Sequence, residues 1–125
     1  MRESGAELFI ADEEGERRVA ARLFRAAGGG YSFTAAGADY TVHRGAVLRV
    51  ACRGELSYEL EFDLLRTTSA EIETPFGTLS AELCTHSLSF SENGGFEAEY
   101  TLVFAGRPSR RKIAFRPKEG AHDEK

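Results

Sequence analysis

Between Phe96 and Phe104 every second residue is apolar: Phe96, Ala98, Tyr100, Leu102 and Phe104 are separated by Glu97, Glu99, Thr101 and Val103. The same period of two runs from Leu56 to Asp63, where Leu56, Tyr58, Leu60 and Phe62 alternate with Ser57, Glu59, Glu61 and Asp63. Successive side chains of a strand point to opposite faces of a sheet, so this period predicts two strands with one apolar and one polar face. Wound as helices, the same segments would spread carboxylates around every side. The phase is also firmly specified: a slip of one residue would turn Glu97 and Glu99 inward, and an unpaired buried carboxylate costs several kcal/mol.

Weaker versions of the pattern predict strands at Tyr31 to Ala35, Tyr40 to His43, Val47 to Arg53, Ser69 to Thr74, Thr78 to Phe90 and Arg111 to Arg116. With the first two, that makes about eight. The long segment changes phase: Leu79, Ala81 and Leu83 share one face, whereas Cys84, His86, Leu88 and Phe90 share the other, which predicts a bulge or bend near Cys84. Turn chemistry separates the segments. Asn93-Gly94-Gly95 accepts positive φ, Thr74-Pro75-Phe76-Gly77 presets an early turn position with proline, and Arg53-Gly54-Glu55 and Ala105-Gly106-Arg107-Pro108 read as further tight connections. Glu14 to Ala27 is the exception, because its Ala, Arg, Glu and Leu favour a helix by intrinsic propensity, ended by Gly28 to Gly30. The expected fold class is therefore all-β, one antiparallel meander over the whole chain. Its ordered core is expected to run from about residue 8 to 116, followed by a frayed tail at 117–125 that lacks any large apolar side chain.

At 125 residues the chain suits one core and no more. A net charge of −4 argues against a dedicated nucleic-acid binder, which needs basic charge facing phosphates. Arg2, Glu3 and Glu7 interrupt the apolar residues at the start, so a secretory leader is not expected, nor is any membrane-spanning stretch. Cys52 and Cys84 stand far apart without metal or redox-motif spacing. They read as free thiols of a reducing cytoplasm.

Taken in order, Gly30-Tyr31-Ser32-Phe33-Thr34, Val47-Leu48-Arg49-Val50, Glu73-Thr74-Pro75-Phe76-Gly77, Thr85-His86-Ser87-Leu88 and Gly95 to Phe104 resemble a YwiB-like family of uncharacterised bacterial proteins. The resemblance spans roughly Val19 to Phe115 and implies a lipocalin-like, calycin-like barrel. A barrel of about eight strands is either filled by side chains or just able to hold one small ligand. The resemblance implies no reaction, and fold alone supplies none.

Among candidate sites, Tyr58, His86 and Tyr100 read as inward-facing polar groups that could orient a small ligand. The plainer reading is a pair of core rings with their hydroxyls at a rim, and a hydrogen-bonded histidine. Cys84 and His86, two apart on one strand face, could form a nucleophile and base or half a metal site, but only His43 and His122 could complete it, so neither catalysis nor a metal nor a cofactor is expected. The carboxylates Glu55, Glu59, Glu61, Asp63, Glu71, Glu73, Glu82, Glu97 and Glu99 occupy the polar phase and are expected to be solvated and paired across strands. The basic clusters Arg17, Arg18, Arg22, Arg25 and Arg107, Arg110, Arg111, Lys112, Arg116 fit the same scheme as partners and edge protection, with RNA binding as an alternative. The leading expectation is a non-enzymatic barrel that binds a small apolar or amphipathic molecule or a protein partner. A homodimer is its rival, motivated by the outward apolar Val103.

Overall fold

The computed structural model describes residues 3–25, 30–92 and 94–117. Of the tail expected at 117–125, Pro117 is instead the buried last residue of β10, while residues 118–125 with His122, Asn93, and residues 26–29 lie outside the described residues. All ten elements are strands: β1 (Glu3–Asp12), β2 (Gly15–Arg25), β3 (Gly30–Ala35), β4 (Ala38–Arg44), β5 (Leu48–Arg53), β6 (Ser57–Phe62), β7 (Thr68–Thr74), β8 (Gly77–Phe90), β9 (Phe96–Phe104) and β10 (Arg107–Pro117). Each pairs antiparallel with its neighbour in sequence, and β1 pairs with β10, so the meander closes into a barrel. Closure removes the sheet edges that the basic residues were expected to protect.

The eight expected strands are all present, and the count of about eight is corrected to ten by β1 and β2. Where propensity favours a helix, the chain from Gly15 to Arg25 is strand, turned back by Gly15 at φ 138° while Asp12 Oδ1 accepts the Glu14 amide at 2.8 Å. Tertiary burial outweighs propensity here, because Ala21 and Leu23 face the core in the phase of Val19, whereas Ala20 and Arg22 face water. The first strand accordingly spans Glu3–Asp12, ahead of the start expected near residue 8.

The five hairpin turns at 12–15, 35–38, 53–57, 74–77 and 104–107 share one end of the barrel, called here the hairpin rim. The opposite end is plugged. Phe115 stacks on Phe33 at 4.2 Å, on Tyr31 at 5.6 Å and on Phe96 at 6.2 Å, and Phe33 stacks on Tyr40 at 4.6 Å, so one aromatic pile bridges β3, β4, β9 and β10 across the interior. Phe62 meets Tyr100 edge-on at 5.0 Å. Tyr31 donates its hydroxyl to the Gly94 carbonyl at 2.6 Å and the Arg44 guanidinium lies 4.2 Å over Phe90, sealing that end.

The seal also explains Gly95. A Cβ there would stand 2.6 Å from the Phe115 carbonyl oxygen and 2.7 Å from Ser91 Oγ, so Gly95→Ala is expected to cost about 1–3 kcal/mol by forcing the β8–β9 turn off the aromatic pile. A thermal melt unchanged by this substitution would show that the turn is not held there.

Candidate functional site

Tyr40 pairs with Cys52, Cys52 with Tyr58, Tyr58 with Ile72 and Ile72 with Leu79, so one register row crosses β4 to β8 with all five side chains on the inward face. Along that row the chemistry changes from phenol and thiol to aliphatic, and exposure rises. Tyr40 and Cys52 are buried and Tyr58 and Ile72 half-buried, whereas Leu79 is 52% exposed because the β7–β8 hairpin projects past its neighbours. Leu56, 47% exposed, sits beside the row, its carbonyl accepting the Cys52 thiol at 3.8 Å, and Phe76 at the hairpin tip is 99% exposed. The tip is braced: Thr74 Oγ1 accepts the Phe76 amide at 3.1 Å and donates to the Gly77 carbonyl at 2.8 Å. The result is an apolar lip above a phenolic floor.

Tyr100 completes the floor from the far wall. Burial pushes its phenol up to about 12, with the nearby Arg111 guanidinium opposing that shift and Asp12 and Tyr40 adding to it. Burial likewise raises Tyr40 to about 12, assisted by Cys52 and opposed by the hydrogen bond from Tyr58 and the charge of Arg17. Tyr58 is raised further still, again chiefly by burial. The register sets Arg17, Tyr40, Cys52, Tyr58, Tyr100 and Arg111 on the inward face toward the rim, where these influences act.

Tyr58 and Tyr100 thus face inward as their alternation requires. His86 does not: the bulge lies between Thr85 and Ser87, one step beyond the expected position near Cys84, and it leaves Thr85 as the buried residue while Cys84 and His86 are exposed on the outer wall. His86 Nε2 is hydrogen-bonded to Thr101 Oγ1 at 2.7 Å, and Thr85 Oγ1 accepts the Asp63 amide at 3.2 Å. His43 is exposed on β4, away from both. Among the described residues no group of three or more His, Cys, Asp or Glu side chains could hold a metal ion, and no helix is long and apolar enough to cross a membrane.

Outer-wall charge behaves as alternation predicts. Lys112 and Arg116 pair with Glu97 at 3.1 and 3.6 Å, Arg110 with Glu99 at 3.7 Å and Arg49 with Glu61 at 3.5 Å. Val103 is half-buried on the same wall, opposite Glu82 and Pro108, so it does not form an outward apolar patch of the kind expected. Between β6 and β7 only two rungs form, and a groove of about 450 Å³ opens there, lined by Arg49, Arg53, Glu59, Glu61, Glu71 and Glu73 among others. Its charged lining faces outward, and Cys52 and Tyr58 of the inward row also border it. Cys52, Tyr40 and the inward arginines went unnoticed as a site in the sequence, although the phase of Val19-Ala21-Leu23 and of Ile113-Phe115, extended two residues toward the turns, points Arg17 and Arg111 inward.

No protein-family model matches the chain, and no curated protein sequence matches it. Among solved structures it is similar to the crystal structure of the YwiB protein from Bacillus subtilis, with a TM-score of 0.63, 14% identity and 93% of each chain covered. At that identity the likeness is one of fold.

Proposed function

We propose that this protein is a non-enzymatic, lipocalin-like binding barrel of the cytoplasm that takes a small amphipathic molecule at its hairpin rim. The row Tyr40–Cys52–Tyr58–Ile72–Leu79 carries the proposal, since it joins a polar floor to an aliphatic wall left open to solvent. An amphipathic molecule matches both halves: its chain covers Leu56, Ile72 and Leu79, and its polar end meets the phenols. The aromatic pile that fills the opposite end supports a site at the rim rather than in a central cavity. Two free cysteines suit a reducing compartment.

Thermal melts with monomeric dodecyl maltoside, dodecanoate and dodecyl phosphate test this, because a ligand of the folded state alone raises the melting temperature. A rise is expected with at least one of them, and a flat response to all three overturns the proposal. Leu79→Asn should weaken binding at least about tenfold, the equivalent of one buried aliphatic side chain, while leaving the melting temperature of the free protein unchanged. Equal affinity for the substituted protein would remove the lip from the site. A second reading, a homodimer through the same rim, draws on the nearly complete exposure of Phe76. It predicts a mass by light scattering that halves in Phe76→Ser.

A further inference from the structure

The inward phase at the hairpin rim is basic, although the chain as a whole carries a net charge of −4. Its charged members among the described residues are Asp12, Arg17, Arg107 and Arg111. Arg17 lies opposite Ile10, Arg107 opposite Phe104 and Arg111 opposite Tyr100, each in the register phase that faces the interior. Three guanidiniums against one carboxylate is the reverse of the balance on the outer wall.

No ion pair among the described residues neutralises that excess. None of the three arginines has an ion-pair partner among the described residues; Arg17 and Arg107 are exposed, as are the equally unpaired outer-wall Arg18, Arg44 and Arg53, so the half-buried Arg111 is the one that stands out. Asp12 turns one carboxylate oxygen to the Glu14 amide at 2.8 Å. Arg111 is half-buried and donates only Nε, to Ser109 Oγ at 3.1 Å, while Ser109 in turn donates to Glu13 Oε1 at 3.4 Å. Among the described residues that arrangement leaves the two amino nitrogens of Arg111, the fork that grips carboxylates and phosphates, without an acidic partner. A half-buried cation with no counter-charge is a cost that a bound anion relieves.

The two arginines also bracket the phenols. Arg111 lies opposite Tyr100 in the β9–β10 register, the charge of Arg17 reaches Tyr40 and Tyr40 in turn acts on Tyr100, so guanidinium, phenol, phenol and guanidinium run from β2 and β4 to β9 and β10. Protonated phenols donate hydrogen bonds to an oxyanion, and the guanidiniums supply its charge. We infer that the amphipathic ligand is an anion whose carboxylate or phosphate head group is held by Arg17 and Arg111 above Tyr40 and Tyr100, with its chain on Leu56, Ile72 and Leu79.

This inference rests on the amphiphile reading above, and the experiment separates the two. Titration calorimetry compares monomeric dodecanoate, dodecyl phosphate and the uncharged dodecyl maltoside, on the native protein and on the double variant Arg17→Met/Arg111→Met. The anionic amphiphiles are expected to bind about 10–100-fold more tightly than the maltoside, an advantage lost in the double variant while maltoside binding stays unchanged. Should the double variant fail to fold, the salt dependence of the native protein decides: dodecanoate affinity falls with added salt and maltoside affinity does not. Equal affinities for all three amphiphiles, or equal losses in the variant, overturn the head-group assignment and leave the amphiphile reading standing. No binding by any of the three overturns both. Cosedimentation with phosphatidylglycerol vesicles but no binding of the monomeric anions would place the anion on a membrane surface and overturn the assignment to a soluble ligand.

Discussion

Replacing Phe115 by alanine lowers the unfolding free energy by about 3–5 kcal/mol, the largest effect expected of any single truncation in this barrel. Phe115 is 1% exposed and is the shared member of three ring pairs, touching Phe33, Tyr31 and Phe96 from β10. Its loss removes the apolar contact of one ring and leaves a void that the neighbours are poorly placed to fill, since Tyr31 and Phe33 are fixed to β3 and Phe96 to β9. Phe33 is held in addition by Tyr40 and Tyr31 by its hydrogen bond to Gly94. Urea denaturation should show the midpoint falling with the slope unchanged. Phe76→Ala serves as the control, because that ring is 99% exposed and its removal should alter stability by no more than about 0.5 kcal/mol. A loss below about 1.5 kcal/mol at Phe115 would mean that the pile does not organise the plugged end.

Alkaline pH is the second strong lever. The phenols of Tyr40 and Tyr100 are pushed up to about 12, in each case first by burial, and Tyr58 is shifted the same way. In the unfolded chain these phenols ionise near 10. Between about pH 10 and 12 the folded protein therefore holds protons that the unfolded chain has released. The stability contributed is full below pH 10 and is lost as pH rises through 12. Each of Tyr40 and Tyr100 accounts for up to about 2–3 kcal/mol of that loss, two pKa units at 1.4 kcal/mol each. Urea midpoints measured from about pH 9 to pH 11.5 should decline steeply, and Tyr100→Phe should flatten the decline by its share. Ultraviolet absorbance that shows all the phenols of the folded protein ionising near pH 10 would contradict their burial under the rim.

Both predictions concern positions whose inward orientation is legible as alternation. Phe96 to Phe104 and Leu56 to Phe62 carry it most cleanly. There the acidic residues could not be turned inward without a penalty larger than a strand's whole contribution, and Tyr58 and Tyr100 follow from the same count. His86 shows how such counting fails. A bulge adds one residue to one strand, and its placement between Thr85 and Ser87 rather than at Cys84 reverses the direction of every side chain in between. Alternation located the change of phase to within a residue or two. The direction of His86 depends on the last of those residues.

Arg17 illustrates a different failure. Its neighbours Val19, Ala21 and Leu23 mark the inward phase, yet in a linear reading it joins Arg18 and Arg22 as one more surface charge, because Ala-, Arg- and Glu-rich sequence is equally good helix. Only the pairing of β2 with β1 along its whole length and with β3 over half of it sets Arg17 on the interior side of an open rim. The site proposed here is accordingly one that no motif encodes. It arises where strands of unequal length stop at different heights.

Taken alone, the sequence determined where eight of the strands run, which face of them is apolar outside the bulge in β8, and that the acidic rows meet water. These follow from a balance each segment settles by itself, between burying apolar side chains and keeping carboxylates solvated. Tertiary structure alone decided that there are ten strands, that β1 meets β10 across about a hundred residues of intervening chain, and that one end is plugged by rings while the other presents phenols and guanidiniums. The physical reason is that closure, and the level at which each strand leaves the barrel, depend on contacts between residues distant in the chain, which no local pattern contains.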